Sequence, residues 1–469
     1  MSWKLIEKTK KLLDQETGAY YKNRRDVAVV LVYPNTYYLG MSNLGFQTIY
    51  QLLNKRDDTW CERSFKPEKE ELREFLKSKT TLFSLESQRP LNEFDIIAFS
   101  LPFELDYFNI LPILDLAKIP LLSRDRDKSY PLIIAGGTAV TANPKPLSSF
   151  MDIFIIGEGE EVVNEVVDSY LISRDLPKEK ILFNLNQIPG VYVPSSGQKE
   201  FSKRHIPFLD LYPTNSCIIT KNTEFSNMFL IELTRGCPQM CKFCLASHLY
   251  KPFRYRSLNV ILSQVEEGLK YTKRLGLVGG AISNHPDLQE ICQKIKELGG
   301  EVSLSSLRIQ AITKELLKTL NQKTITIAPE AGSPGLRQLI NKPISDEKII
   351  EKIELLNSHL PLTLKLYFML GIPTETQEDI KALITLISNI KASFKGRLVI
   401  SINPFIPKLS TPFQGMEMID KDSFNSKLKN IRKNLQRIEI ISESIKSSLI
   451  QWHLSVGDEK MGELIYLSR

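Results

Sequence analysis

The sequence lacks the features that mark membrane, secreted and repetitive proteins. None of its apolar runs approaches the ~18–20 residues that a membrane-spanning helix needs. The N-terminal stretch, MSWKLIEKTKKLLDQE, alternates charged and apolar residues and so lacks the apolar core of a signal peptide. No internal repeat or low-complexity tract is present. The 469 residues therefore predict a globular, cytoplasmic protein with two or three domains.

Cysteine is scarce, with six residues in the chain. Six are too few for a disulfide framework in a protein of this size. Three of them, Cys237, Cys241 and Cys244, lie within the stretch TRGCPQMCKFCLASH. The other three are scattered, and we expect each to be a small buried hydrophobe: Cys61, Cys217 and Cys292. Clustered thiols in a reducing compartment predict a metal site.

Charge of one sign is not strongly in excess. The formal net charge is +7 and the isoelectric point is near 8.8. A mildly basic surface permits an acidic partner such as RNA but does not require one. Composition alone therefore gives no support to nucleic-acid binding.

Apolar runs alternate with helical patterns in the N-terminal part of the chain. The runs VAVVLVYP, FDIIAFSL, YPLIIAGGTA and FMDIFIIGEGEEVV are typical of parallel strands that are buried on both faces. They predict a doubly wound, Rossmann-like α/β sheet over residues 26–175. A short amphipathic helix within residues 1–25 precedes it, and a connector over residues 176–225 follows.

A second series of strands begins at MFLIEL and continues through GLVGGAI, EVSLSSL, TITIAP, LKLYFML and LVISINPFI. Six strands within about 180 residues predict a partial (β/α)6 barrel over residues 226–415, because an eight-stranded barrel usually needs ~250 residues. Residues 416–469 predict C-terminal helices. Apolar residues spaced every three or four positions there predict one long amphipathic helix from Phe424 to Ile445.

The cysteine cluster follows the first barrel strand, and two kinds of metal site fit it. With His248, the three cysteines would form a Cys3His zinc site. Alternatively, three thiolates on one tight loop can hold three irons of a cubane and leave the fourth iron open. In parallel barrels this end of the strands carries the chemistry. The position therefore favours an iron–sulfur cluster, and we expect nearby Arg235 to favour the thiolate forms.

The spacing C-x3-C-x2-C in RGCPQMCKFC, with Phe243 before the last cysteine, resembles that of radical S-adenosylmethionine (SAM) enzymes. The resemblance implies a [4Fe–4S] cluster on Cys237, Cys241 and Cys244, whose open iron is chelated by SAM. It further implies reductive cleavage of SAM to a 5′-deoxyadenosyl radical, with an electron donor such as flavodoxin or ferredoxin.

Further cofactor contacts follow from the same resemblance. Gly279 and Gly280 stand where the family has a Gly-Gly-Glu motif for the amino group of SAM, but Ala281 replaces its glutamate. Phe243 is expected to shield the cluster. The remaining SAM contacts that the resemblance implies are Ser305, Arg308, Glu330, Gly371 and Ile372.

The motifs YPNTYYLGMSNLG, AGGTAVTANPKPL, GEGEE, PFIPKLSTPFQG and SVGDEK resemble a largely uncharacterised subgroup with an N-terminal cobalamin-binding-like domain. The resemblance implies cobalamin contacts at Ser100, Gly136 and Gly137. Tyr37 stands where the family's D-x-H-x-x-G motif supplies an axial histidine. Either cobalamin binds without a protein histidine, or the sheet serves only as a scaffold for substrate.

The implied function is a radical SAM enzyme that performs cobalamin-dependent methyl transfer or modifies a carbon centre of an unknown substrate. One alternative is a methylthiotransferase-like, RNA-modifying enzyme. Such enzymes carry a second three-cysteine cluster, whereas residues 1–216 contain only Cys61. The other alternative is a non-enzymatic protein that binds zinc or a cluster.

Overall fold

The computed structural model describes residues 2–23, 25–198, 201–305, 307–359 and 362–468. It divides into two compact units. The first comprises Met1–Phe229 together with Leu454–Arg469, and the second comprises Leu230–His453. Of the helices in the described ranges, none is both long enough and apolar enough to cross a bilayer.

The first unit is built on a six-stranded sheet with the order β3-β2-β4-β5-β6-β7. Its strands, including a separate β1–β8 ribbon, are β1 (Glu16–Thr17), β2 (Val27–Tyr33), β3 (Thr59–Phe65), β4 (Ile96–Ser100), β5 (Leu132–Gly136), β6 (Ile153–Ile155), β7 (Val191–Tyr192) and β8 (Ile219–Thr220). Pairing is parallel from β3 to β6, and β7 is antiparallel to β6. The predicted doubly wound sheet is confirmed.

Helices on both faces bury this sheet. They are α1 (Trp3–Leu13), α2 (Tyr37–Met41), α3 (Leu44–Lys55), α4 (Lys69–Ser78), α5 (Ile110–Leu116), α6 (Thr138–Ala142), α7 (Gly159–Ser173) and α8 (Lys178–Leu185). Every residue of β2 is buried, as its unbroken apolar run predicts. Asn43 starts α3 by accepting a hydrogen bond from the Phe46 N–H. Two hydrophobic clusters, one on each face, result.

The strand order reverses at β2, which pairs with β3 on one side and β4 on the other. In doubly wound sheets such a switch point opens a crevice beyond the carboxyl ends of the strands, and ligands bind there. Tyr37 begins the helix that follows β2, and Ser100 ends β4. Two of the predicted cobalamin residues therefore flank the switch point.

The second unit contains two four-stranded sheets with the orders β10-β9-β11-β12 and β13-β14-β15-β16. Its strands are β9 (Phe229–Arg235), β10 (Arg254–Tyr255), β11 (Arg274–Gly279), β12 (Glu301–Leu304), β13 (Thr324–Glu330), β14 (Thr363–Leu370), β15 (Arg397–Pro404) and β16 (Glu439–Ile441). All six strands that the sequence predicts form in this unit. The partial barrel is confirmed, with short edge strands β10 and β16 in addition.

Helices follow the strands of the second unit in alternation. They are α9 (Leu245–Leu249), α10 (Leu258–Leu269), α11 (Leu288–Glu297), α12 (Lys314–Thr319), α13 (Pro334–Leu339), α14 (Asp346–Leu356), α15 (Gln377–Ser393), α16 (Lys421–Asn434) and α17 (Ile445–Val456), and α18 (Met461–Leu467) returns to the first unit. Among the described residues, β12 and β13 belong to separate sheets. Between them, the Gln322 side-chain oxygen accepts the Leu304 N–H at 2.6 Å. Backbone bonds also run from the Leu307 N–H to Thr326 at 3.4 Å and from the Asn321 N–H to Val302 at 3.3 Å.

The predicted single helix from Phe424 to Ile445 is wrong. Helix α16 ends at Asn434, and the chain then adds β16 to the edge of the sheet, in parallel register with β15. Pairing of Ile440 with Ile400 satisfies backbone groups that a longer helix would have bonded internally. The spacing of apolar residues continues across this break, so it does not reveal the change of element.

The compact units group the chain differently from the predicted domain boundaries, which remain predictions. Residues 176–225, predicted as a connector, contribute α8, β7 and β8 to the first unit. Residues 416–469 contribute to both units.

Candidate functional site

The three clustered cysteines lie on the loop that joins β9 to α9. Gly236 opens this loop with φ +76°, and a Cβ there would lie 2.3 Å from the Tyr250 carbonyl oxygen. Only glycine therefore fits the sharp turn out of the strand. At the other end the Cys244 N–H donates to the Cys241 carbonyl at 3.0 Å, and α9 begins at the next residue.

All three cysteines are free thiols. Cys241 is buried, with 7% of its surface exposed, whereas Cys237 and Cys244 are half-buried. Burial raises the pKa of the Cys241 thiol, and the charges of Cys244 and Cys237 raise it further. Within the described residues, no three His, Cys, Asp or Glu side chains converge on one metal-ion position; thiolates on a cubane bind different irons.

His248, the fourth ligand of the zinc alternative, bonds to the loop backbone. Its Nε2 lies 3.2 Å from the Cys241 carbonyl oxygen. The contact ties the first turn of α9 to the cysteine loop. The His248 imidazole therefore supports the cysteine loop by contacting the backbone of the loop.

A distant segment holds the cysteine loop in place, and the sequence analysis missed it. The Lys242 N–H donates to the Ile340 carbonyl at 3.0 Å. The Asn341 carboxamide donates to the carbonyls of Gln239 and Met240, at 2.8 and 3.1 Å. Asn341 has φ +58° just beyond the end of α13, a left-handed position that favours Asn or Gly. The signal in the sequence was the asparagine of LINK just after a helical pattern, because Asn is one of the residues that favour a left-handed position at the end of a helix.

Glu330 ends β13 with φ +70°, and its carboxylate pairs with the Lys342 ammonium at 3.0 Å. Burial raises the pKa of Glu330, and the charge of Lys342 opposes that shift. Lys342 and Arg308 also oppose the rise in the pKa of Cys241. Two cations from separate loops therefore act on the central thiol of the cysteine loop.

Arg235 bonds a carboxylate, and its expected effect on the thiolates remains a prediction. Its guanidinium forms two bonds to Glu232, at 3.1 and 2.8 Å, and Arg256 bonds the same carboxylate at 2.6 Å. Burial alone would raise the pKa of Glu232, but the two guanidinium groups lower it to about 2. Arg235 thus neutralises a carboxylate of its own strand, and Lys342 is the cation with the largest effect on Cys241.

Gly279 and Gly280 pack against the end of β9. A Cβ on Gly279 would lie 2.5 Å from Thr234 Oγ1, and a Cβ on Gly280 would lie 2.7 Å from the Gly236 carbonyl oxygen. The Ala281 N–H donates to Thr234 Oγ1 at 3.2 Å. The absence of side chains on these two glycines therefore lets the end of β11 approach the start of the cysteine loop at Thr234 and Gly236.

The other predicted SAM contacts lie at strand ends of the same unit. Ser305 is exposed after β12, and its N–H donates to the Leu277 carbonyl at 3.2 Å. Arg308 is half-buried, and its N–H donates to Ser283 Oγ at 3.1 Å. The structure places both residues on the loop beyond β12.

Phe243 and Ile372 belong to one apolar cluster. Ile372 is buried in it with Phe405 and Phe413, and Phe243 packs against it. Gly371 precedes Ile372 with φ +84°, and a Cβ there would lie 2.6 Å from the Ile419 Cβ. The cluster thereby joins the cysteine loop to the turn after β14.

In the first unit, Tyr37 is engaged in a hydrogen bond. Its hydroxyl donates to the Glu16 carboxylate, and its ring packs edge-on against Phe65 with 5.1 Å between centroids. Burial raises the pKa of the Tyr37 hydroxyl, and the negative charge of Glu16 raises it further. Glu16 also pairs with Arg63, which is fully buried and bonds Glu86 as well. Tyr37 is thus part of a buried ionic network.

Ser100, Gly136 and Gly137 meet at the carboxyl ends of β4 and β5. Ser100 is in register with Gly136. Gly137 has φ +119°, and a Cβ there would lie 2.7 Å from the Leu101 carbonyl oxygen. The structure thus brings these three together in one part of the first unit.

Comparison with known proteins identifies the family. A family model described as the N-terminal part of radical SAM proteins matches residues 45–194, and the radical SAM superfamily model matches residues 231–387. The uncharacterised protein MJ0966 of Methanocaldococcus jannaschii is 32% identical over 449 residues, which cover 94% of this chain and 91% of the relative. The chain belongs to the radical SAM superfamily. It is an enzyme of that superfamily, whose members use a [4Fe–4S] cluster and SAM.

Other radical SAM proteins show similarity over shorter spans or in fold alone. The ribosomal protein uS12 methylthiotransferase RimO of Carboxydothermus hydrogenoformans is 25% identical over 67% of this chain and 79% of its own. The cobalamin-dependent radical SAM enzyme OxsB aligns with a TM-score of 0.58 and 14% identity, over 94% of this chain and 66% of OxsB. The methyltransferase TsrM of Kitasatospora setae aligns with a TM-score of 0.54 and 12% identity, over 80% of this chain and 72% of TsrM.

Proposed function

We propose that Cys237, Cys241 and Cys244 hold the [4Fe–4S] cluster of this radical SAM enzyme and leave one iron open for SAM. The observation that carries the proposal is the position of all three thiols on one loop at the carboxyl end of β9. When bound, the cluster supplies the electron that cleaves SAM to a 5′-deoxyadenosyl radical. Phe243, at the edge of the neighbouring apolar cluster, is proposed to exclude water from it.

The proposed SAM site uses the ends of the barrel strands. Because the family's glutamate is replaced by Ala281, we assign the amino-group contact to the backbone at Gly279 and Gly280. Ser305 and Arg308 are assigned to the polar groups of SAM, and Gly371 with Ile372 to its adenine side. Glu330 is held by Lys342, so its proposed contact with SAM would share the carboxylate with that ammonium.

The test uses the full chain, purified without oxygen and reconstituted with iron and sulfide. Cys237→Ala is expected to lose both the cluster absorption near ~400 nm and the formation of 5′-deoxyadenosine, because a cubane held by two thiolates is not retained. Cys292→Ala is the matched control, since Cys292 is a buried thiol of α11. Full SAM cleavage by the Cys237 variant would refute the assignment.

We further propose that the first unit binds cobalamin and that the reaction is methyl transfer or another modification of a carbon centre. The support is the carboxyl ends of β4 and β5, where Ser100, Gly136 and Gly137 gather next to the switch point of the parallel sheet, and the shared fold with OxsB and TsrM. Since the Tyr37 hydroxyl is bonded to Glu16, no cobalt ligand is assigned to it. We expect the protein to retain added hydroxocobalamin after desalting. We also expect the absorption spectrum of the bound cobalamin to be the same in Tyr37→Phe as in the wild type.

One observation supports the methylthiotransferase alternative, namely the sequence similarity to RimO. It requires a second cluster in the N-terminal part, where Cys61 is the single cysteine of residues 1–216. Iron analysis separates the two, because one cluster gives about four irons per chain and two give about eight. We expect about four.

The remaining assignments concern the environment of the enzyme. We propose a small electron-transfer protein such as flavodoxin or ferredoxin as the reductant. A cytoplasmic location, where thiols stay reduced, is proposed for a cluster of free cysteines.

A further inference from the structure

Asp106 is a buried carboxylate at the switch point of the first unit, and the proposed function leaves it without a role. It lies in a helical turn (Glu104–Asn109) that follows β4, and only 4% of its surface is exposed. Its Oδ1 accepts a hydrogen bond from the Asn35 carboxamide at 2.7 Å. Asn35 belongs to the loop that follows β2, the strand that pairs with β4. The bond therefore joins the two loops on either side of the switch point.

These two loops lead to opposite faces of the sheet. The loop after β2 continues through α2 into α3, whose Phe46 packs in one of the two hydrophobic clusters. The turn after β4 continues into α5, whose Ile110 packs in the other cluster. Connections that diverge in this way open a ligand crevice in doubly wound sheets. The Asn109 carboxamide also donates to the Pro34 carbonyl at 2.8 Å, so a second bond fastens the two loops together beside the crevice.

The second oxygen of the Asp106 carboxylate has no donor within the protein. Among the described residues, none bonds its Oδ2 atom. The Tyr107 hydroxyl in the same turn has neither a partner among those residues nor access to solvent, whereas Asp106 Oδ2 retains access. A carboxylate oxygen in a buried position is costly unless water or a ligand supplies a donor. Burial raises the pKa of Asp106 to about 6, and the bond from Asn35 and the charge of Lys66 oppose that rise. At pH 8 the group is therefore ionised and can only accept hydrogen bonds.

We propose that Asp106 contacts the ligand of the first unit, and that its Oδ2 accepts a hydrogen bond from a primary amide on the rim of a corrin ring. The inference rests on the proposed function, in which this unit binds cobalamin. Asp106 follows Ser100 in the same loop, at the strand ends already assigned to that cofactor. Cobalamin carries several primary carboxamides around its ring, and their N–H groups are the donors that Oδ2 lacks. A hydrogen bond to an ionised acceptor is about twice as strong as one between neutral groups.

The test measures the affinity of the full chain for hydroxocobalamin at pH 8, from the change in the absorption spectrum of the corrinoid on binding. Asp106→Asn keeps the size of the side chain and an oxygen for Asn35, and it places an N–H donor where Oδ2 was. We expect the dissociation constant to rise about tenfold, because a hydrogen bond to a charged group is lost. Asp115→Asn is the matched control, since Asp115 is exposed on α5, and it should bind hydroxocobalamin as the wild type does.

A corrinoid whose carboxamides are replaced by methyl esters separates contact from damage to the fold. This ester has no N–H on its rim, so the wild type and Asp106→Asn should bind it equally. An equal loss of affinity for both corrinoids, or no loss for hydroxocobalamin, would overturn the inference.

If Asp106→Asn does not fold, Asp106→Ser decides, because its smaller neutral side chain adds no clash. Weaker binding of hydroxocobalamin with unchanged binding of the ester supports the inference, and any other result refutes it. A wild-type chain that binds no hydroxocobalamin overturns the proposed cobalamin site and this inference with it. Normal binding by the wild type that does not respond to the substitutions overturns only the role of Asp106.

Discussion

Asn341→Gly is the sharpest test of how the cysteine loop is held. Glycine adopts the left-handed conformation of residue 341 (φ +58°) without strain, so the path of the backbone is kept. The substitution removes the carboxamide that donates to the carbonyls of Gln239 and Met240. The Lys242 N–H bond to Ile340 involves backbone atoms only and remains, as does the contact of His248 Nε2 with the Cys241 carbonyl oxygen.

The magnitude follows from the two lost hydrogen bonds, at 2.8 and 3.1 Å. Each contributes about 0.5–1.5 kcal/mol net, so the local opening free energy of the loop should fall by about 1–3 kcal/mol. Because 1.4 kcal/mol is a factor of ten, amides that exchange by local opening should exchange about 5- to 150-fold faster.

The assay is hydrogen–deuterium exchange with mass spectrometry on the cluster-free protein, read on the peptide that contains the Lys242 and Cys244 amides. Asn227→Gly is the matched control, since Asn227 also has a positive φ (55°) but lies in the first unit. Unchanged exchange in the loop of Asn341→Gly, or an equal acceleration throughout the second unit, would show that Asn341 does not hold the loop.

Three further predictions concern packing and charge. Gly280→Ala should lower the stability of the second unit by about 1–3 kcal/mol, because the added Cβ would collide with the Gly236 carbonyl. Gly335→Ala should not, since a Cβ there meets nothing within 4 Å. Equal urea midpoints for the two variants would contradict this prediction. Because the pKa of Glu232 is lowered to about 2 from 4.5, its stabilisation should be present above pH 4.5 and disappear as the pH falls towards 2. Urea midpoints of the cluster-free protein across that range should fall, and fall less in Glu232→Gln. Arg63→Met should cost about 3–5 kcal/mol, because the carboxylates of Glu16 and Glu86 would be left buried without their counter-charge. Arg124→Met, at an 81% exposed side chain, should leave the melting temperature unchanged, and equal melting temperatures for the two variants would refute the claim.

Strands that consist of apolar residues could be predicted from the sequence, and strands with buried charges could not. The run VAVVLVY predicts β2, all of whose residues are buried. The strand β3, TWCERSF, was missed because Glu62 and Arg63 interrupt it. Both side chains are buried nonetheless: Arg63 is paired with glutamates, and Glu62 accepts bonds from Ser84 and Ser87. Their partners are distant in sequence, so no local pattern identifies β3 as a strand.

The candidate site divides in the same way. The cysteine spacing lies within one loop and could be predicted, as could the turns at Gly279 and Gly371. The contacts of Asn341 and Lys342 depend on how α13 packs beside the loop, which local spacing does not contain. The ion pair of Arg235 with Glu232, three residues earlier in the same strand, could not be predicted from its closeness to Cys237 in the sequence.

The position of Glu16 has a practical consequence for anyone who wishes to isolate a minimal fragment. The family match in the N-terminal half begins at residue 45, which suggests a natural place to start such a fragment. A chain cut there would lose Glu16, and with it the bidentate partner of a guanidinium that has no access to water. It would also lose β1, which pairs with β8 through Glu16 and Thr220, so β8 would have no strand to pair with in that ribbon. The smallest piece that can fold in the same way therefore starts before residue 16, well ahead of the point where the family model begins.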